Sequence, residues 1–281
     1  MSLIYLDQNA LISLGRKARQ GDCREKLISF ISLGGEPFVL SFWHLVETSY
    51  GSRPAKSAEL ADFIESLKPR WLLERHEILA LDVSEDFYTF LRLGHEVSAR
   101  VVTRREMFAA LERHTGGPVF RGTLRRFVEL WRKHRMEEPY VKSSGAAIRL
   151  RRANKSGKVT DEATMHAARK LIESVLPKFT PSGLEIPPDA TRDYLNQVDP
   201  SAIASVALDI AISRYDWAEE GNSGLGRNAQ IDKIHLLSAL PYVDDVVSDD
   251  HFFHAVYDSV NRTGHVRARL LHNREFLERF E

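Results

Sequence analysis

Short apolar runs that alternate with helical periodicity constrain this chain more than any other feature. Leu3 to Leu6 is apolar throughout and stops on Asp7, Gln8 and Asn9 before a new apolar pattern begins. A strand buried on both faces reads as such a continuous run, whereas a strand with one wet face alternates. Similar runs occur at Phe38 to Leu40, Ile78 to Leu81, Val246 to Val247 and Val266 to Leu271, separated by helical patterns. Strands that alternate with helices predict an α/β protein with a parallel sheet.

Helix signals fill the intervals. One helix is predicted from Ala10 to Leu33, stopped by Gly34 and Gly35. Ser41 is a suitable N-cap for the helix in FWHLVETSYG, and another helix from Lys56 to Leu67 leads to Pro69. The first 90 or so residues therefore read β-α-β-α-α-β. From Phe87 to Ile172 helical segments follow one another with no convincing strand, and a long helix is predicted from Pro200 to Ala218. The expected organisation is one domain whose sheet comes from about 1–92 and 229–281, interrupted by a helical insertion over about 93–228.

The bulk composition, 43% hydrophobic and 28% charged, is ordinary for a folded protein. A single cysteine, Cys23, excludes an internal disulfide and any cysteine-rich zinc site. The start of the chain lacks the pattern of a secretory signal, and no apolar run approaches the length of a membrane span, so a cytoplasmic, membrane-free protein is expected. The formal net charge is zero, but Arg100 to Lys158 carries 16 Lys and Arg against 5 Asp and Glu. That local excess suits a polyanion better than the neutral total suggests.

In an open α/β sheet, ligands bind beyond the carboxyl ends of the strands, where strand order reverses. Asp7 lies just past the first strand, and Asp249 and Asp250 lie just past the strand that ends at Val247. Glu47 sits within the helix after the second strand, and Asp232 opens the helical segment QIDKIHLLSAL before the late strand. Carboxylates converging from four segments repel one another unless cations intervene. Hard oxygen donors favour Mg²⁺ or Mn²⁺, which could activate a water for attack on a phosphodiester.

YLDQN, the Glu47 of HLVETSYG, the Asp232 of QIDKIHLLSALPYVDD and the Asp250 of VVSDDHFF together resemble the acidic signatures of the PIN-domain family. The resemblance implies a Rossmann-like three-layer α/β/α sandwich with a central parallel sheet, and metal-dependent ribonuclease activity. It carries Asp7, Glu47, Asp232 and Asp250 over as the catalytic metal ligands, with Asp249 as a competing ligand. Asn9 and Ser248 match small polar positions that help orient water or phosphate. The roles open to such an enzyme include toxin, defence nuclease and RNA-processing enzyme. A protein inhibitor, self-association and the choice between RNA and DNA stay open.

Each of these residues also has a plainer reading. Asp7 could cap the next helix, Glu47 could be salt-bridged, and Asp232 could complement a helix dipole. His235, one turn after Asp232, and the pair His251 and His254 lack the convergent ligands of a zinc site. In the basic stretch, Arg125, Arg126, Arg132, Lys133, Arg149, Arg151 and Arg152 are the expected RNA-binding cations, with Phe127 and Trp131 interleaved. Those two aromatics at helical spacing fit a core equally well. The alternative function is a catalytically silent PIN-like module that binds RNA or protein.

Overall fold

The computed structural model describes residues 2–34, 37–94, 98–115, 120–134, 161–176, 186–187, 189–218 and 238–281. The elements are β1 (Ile4–Leu6), α1 (Gln8–Lys17), α2 (Gly21–Gly34), β2 (Phe38–Ser41), α3 (Phe42–Tyr50), α4 (Pro54–Leu67), β3 (Arg70–Leu72) and α5 (Arg75–Phe90). They continue with β4 (Val101–Val102), α6 (Arg104–Thr115), α7 (Leu124–Lys133), α8 (Asp161–Val175), α9 (Ala190–Gln197) and α10 (Ala204–Ala218). β5 (Asp245–Val247), α11 (His251–Asn261), β6 (Arg269–Leu271) and α12 (Asn273–Leu277) complete the described chain, with short 3₁₀ turns at Pro200–Ala202 and Glu278–Phe280.

The six strands form one sheet in the order β4-β3-β2-β1-β5-β6. Every pairing is parallel except that of β3 with β4. β1 is central and buried on both sides, which is why Leu3 to Leu6 shows no polar alternation. Its residues divide between the two faces: Ile4 and Leu6 join a core with Leu11, Leu45 and Ile64, whereas Tyr5 joins one with Val39, Leu208 and Val246. A third apolar cluster, containing Val83, Phe87, Ile172, Tyr194 and Val206, ties α5 to α8, α9 and α10. No helix among the described residues is long and apolar enough to cross a membrane.

Several local expectations need correction. Ile78 to Leu81 is helical, within α5; the third strand is Arg70–Leu72, directly after Pro69. Helix α5 buries Ile78, Leu79, Ala80 and Val83 between two apolar clusters, and a helix covered on two sides produces the unbroken apolar run of a buried strand. The helix predicted over 10–33 is two helices, broken at Ala18 to Gln20, where the polar run from Arg16 to Gln20 offers no apolar residue except Ala18 to hold one straight helix on the sheet. The segment expected to lack strands contributes β4.

Helices α6 and α7 share the core of the sheet. Met107, Phe108, Leu124, Val128 and Trp131 are buried in the same cluster as Leu6 and Leu45. Phe42, Phe108, Phe120, Phe127 and Trp131 pack ring against ring there, at centroid separations of 5.2 to 5.8 Å. The aromatics interleaved with the basic residues thus face inward.

Candidate active site at the carboxyl edge of the sheet

The register builds the centre of the site. Leu6 pairs with Val247, so the next residues, Asp7 and Ser248, emerge side by side from adjacent parallel strands. Strand order reverses here, because β2 lies on one side of β1 and β5 on the other. The Asp7 amide donates to the Val247 carbonyl at 3.0 Å, extending the ladder by one bond.

Asp7 is the N-cap of α1, its Oδ1 accepting the Ala10 N–H at 2.6 Å. The plain reading is therefore correct for one oxygen. The other, Oδ2, accepts a short hydrogen bond from the Ser248 hydroxyl, and the Ser248 Oγ in turn accepts the Asp250 amide at 2.9 Å. Asp7 is buried, at 7% exposure, and Ser248 is wholly so. Burial pushes the Asp7 carboxyl up to about 6; the bonds from Ser248 and Ala10 oppose the shift, and the charges of Asp250 and Asp249 add to it. Capping alone requires neither the burial nor two neighbouring anions.

The two consecutive aspartates have different tasks. Asp249 is exposed and turns toward the end of β6, where its Oδ1 accepts the Asn273 amide at 3.0 Å and meets His272 Nδ1 at 3.2 Å. Asp250 stays half-buried at the start of α11, its Oδ1 3.4 Å from the Phe253 amide. Behind this loop His254 donates from Nε2 to the Ser248 carbonyl at 2.9 Å and stacks on His272 with ring centroids 4.2 Å apart. The loop from Ser248 to Asp250 is thus fastened from both sides.

Glu47 lies on α3 and lines a cleft of about 840 Å³ between α1, α3 and α4. Gln8, the residue after Asp7, lines the same cleft and donates to Thr48 Oγ1 at 3.1 Å, which joins α1 to α3. Asn9 is exposed in the first turn of α1. Asp232, Arg149, Arg151 and Arg152 lie outside the described residues.

Of the other expected RNA contacts, Arg125 pairs with Asp62 through two nitrogens. Arg132 donates to the carbonyls of Ser49, at 2.7 Å, and Gly51, so it secures the loop after α3. Arg126 and Lys133 are exposed on α7.

Two groups at this edge escaped the sequence reading. His44 is fully buried, its Nδ1 accepting the Ser41 N–H at 3.0 Å and its Nε2 donating to the Leu6 carbonyl at 2.6 Å. It therefore bridges the ends of β1 and β2 as a neutral imidazole, and burial lowers its pKa to about 4. The signal was present as a capping box from Ser41 to His44, with histidine in the place usually taken by Glu or Gln. Glu74, just past β3, is pushed up to about 7 by burial, with Glu77 adding to the shift and Trp43 opposing it. Only the tertiary packing around it marks that residue.

The donor chemistry of Asp7 and Asp250 fits a hard divalent cation, and the buried charge of Asp7 gives such an ion something to neutralise. Among the described residues, however, no group of three or more His, Cys, Asp or Glu side chains is placed to hold a metal ion. Comparison of the chain with protein-family models, curated proteins and solved structures finds no match.

Proposed function

We propose that this chain is a metal-dependent ribonuclease with a PIN-like, Rossmann-type α/β/α architecture, hydrolysing RNA phosphodiester bonds in the cytoplasm. The observation that carries the reading is Asp7: a buried carboxylate at the reversal point of a mostly parallel sheet, with its charge opposed by two nearby aspartates. A structural cap has no use for that electrostatic cost.

In this reading Asp7 and Asp250 would hold Mg²⁺ or Mn²⁺, with Asp249 as the reserve donor; Glu47 and Asp232 are the remaining proposed ligands, although the described residues do not gather Glu47 into a three-ligand group with Asp7 and Asp250. Such an ion, when bound, supplies charge neutralisation at the phosphate and a lowered pKa for an attacking water. Ser248 is a positioning residue: its hydroxyl orients Asp7 Oδ2 while its oxygen fixes the Asp250 backbone. His44 ties the end of β1, just before Asp7, to the end of β2, just before the helix that carries Glu47. Asn9, exposed two residues after Asp7, would contact phosphate or water in this reading. The resemblance to PIN nucleases implies products with a 5′-phosphate and a 3′-hydroxyl.

The test is incubation with mixed RNAs in Mg²⁺ or Mn²⁺, with and without EDTA, followed by end-group analysis. Metal-dependent cleavage leaving 5′-phosphates is expected. Intact RNA under all metal conditions, with binding retained, would replace this reading by the silent RNA-binding module.

A further inference from the structure

The cleft beside Glu47 carries more positive charge than its walls neutralise. Arg16, Arg19, Arg53 and Lys56 line it, against Glu47, Glu59 and Asp62. Arg19 is paired with Glu59 at 2.9 Å, and Asp62 is taken by Arg125 from α7. Arg16, Arg53 and Lys56 remain against Glu47; the three cations are all exposed, with no ion pair among the described residues.

Their placement works against helix stability. Arg53 is the N-cap of α4 and Lys56 lies in its first turn, which has no acidic residue. A helix N-terminus favours anions and disfavours cations, so two cations there carry a small cost that a bound anion would offset. Between the charged walls lies an apolar floor of Ile12, Leu60 and Phe63. Phe63 packs so closely on α1 that a side chain at Gly15 would meet its ring at 3.0 Å.

We infer that this cleft is a binding track for a single-stranded nucleic-acid segment, with Arg16, Arg53 and Lys56 on successive phosphates and a base over Ile12, Leu60 and Phe63. Cations along a rim with an apolar or aromatic floor are what an unpaired strand requires. Gln8, the residue after Asp7, and Glu47 are part of the lining, so in the nuclease reading the track would lead a strand toward the proposed reaction centre; it rests on that reading for its direction only. Arg125 and Arg132 act indirectly here, the first by neutralising Asp62 and the second by securing the loop before Arg53.

The experiment is fluorescence anisotropy of the full chain with a short labelled single-stranded RNA in EDTA, over a salt series. Single strands lose affinity with a log-log slope of about 0.7 per neutralised phosphate, so Arg16→Gln/Arg53→Gln/Lys56→Gln should lower the slope by about 2. Between 50 and 200 mM salt the unaltered chain should then lose about 20-fold more affinity than the triple variant. Arg192→Gln, which removes an exposed cation on α9, should leave the slope unchanged. An abasic strand of equal charge should bind several-fold more weakly, and polyglutamate should not compete at equal charge. An unaltered slope in the triple variant would overturn the track, and equal competition by polyglutamate would overturn its nucleic-acid assignment in favour of an acidic protein segment. Cleavage plays no part in this assay: a salt slope that falls as expected without any metal-dependent cutting would retain the track and reject the nuclease.

Discussion

Ser248 donates its hydroxyl to Asp7 Oδ2 across 241 positions of sequence, and both atoms are buried. That single bond couples the end of β1 to the end of β5. A bond between a hydroxyl and a buried carboxylate is of the stronger, charge-assisted kind, and losing it leaves the carboxylate less compensated. Ser248→Ala is therefore expected to cost about 1–3 kcal/mol in urea unfolding at neutral pH. Ser248→Thr, which keeps the hydroxyl, should recover part of the loss.

Asp7→Asn is expected to behave in the opposite direction. Asparagine caps a helix as well as aspartate does, and the amide carries no charge to desolvate. Because burial penalises the ionised carboxylate, the variant should be at least as stable as the parent at pH 7 to 8 by thermal unfolding. A clear loss of stability would assign Asp7 a mainly structural role.

His44 gives a pH dependence of definite sign. Its folded pKa of about 4 lies below the ordinary 6.5, so the unfolded chain takes up the proton first as pH falls. The stabilisation is complete above about pH 6.5 and is lost between there and pH 4, by roughly 3 kcal/mol for a shift of this size. Glu74, raised to about 7, contributes oppositely: its penalty is present above pH 7 and is relieved as pH falls. Urea midpoints measured from pH 7 to 4 should fall less steeply in His44→Gln than in the parent chain, and Glu74→Gln should fall more steeply.

Arg100 anchors a buried network at the other edge of the molecule. It meets Asp82 at 2.7 Å and Glu85 at 2.5 Å, while Asp82 also accepts from the Ser205 amide and Tyr242. Arg100→Gln leaves Asp82 buried without its cation, and breaking such a pair costs about 3–5 kcal/mol. Arg126→Gln, at an exposed i,i+3 pair on α7, should change stability by less than about 0.5 kcal/mol in the same denaturation assay.

How much of this was legible in the sequence depended on whether local pattern and tertiary role agreed. Asp7 and the Asp249–Asp250 pair are legible because each follows directly on an apolar run that reads as a strand, whereas Ser248, the residue in register with Asp7, is marked only by the resemblance to PIN nucleases. Ile78 to Leu81 misled because a helix covered on two sides shows no polar face. Arg125 and Arg132 looked like surface cations, yet their partners Asp62, Ser49 and Gly51 lie more than 60 residues away and left no local mark. The cleft cations Arg16, Arg53 and Lys56 were passed over for a related reason. Their significance comes from convergence of α1 and α4, whereas the dense basic run further along the chain drew attention through composition alone.

The central claim, that Asp7 serves chemistry at the sheet edge, is tested most directly by comparing single-turnover cleavage of one labelled RNA by the parent chain and Asp7→Asn in Mg²⁺ or Mn²⁺. Folding is checked by thermal unfolding, and strand affinity by anisotropy in EDTA. The expected result is loss of at least about 100-fold in cleavage rate, a fall of about 2.7 kcal/mol in transition-state stabilisation, with fold and affinity intact. Cleavage by the purified variant at the parental rate would contradict it.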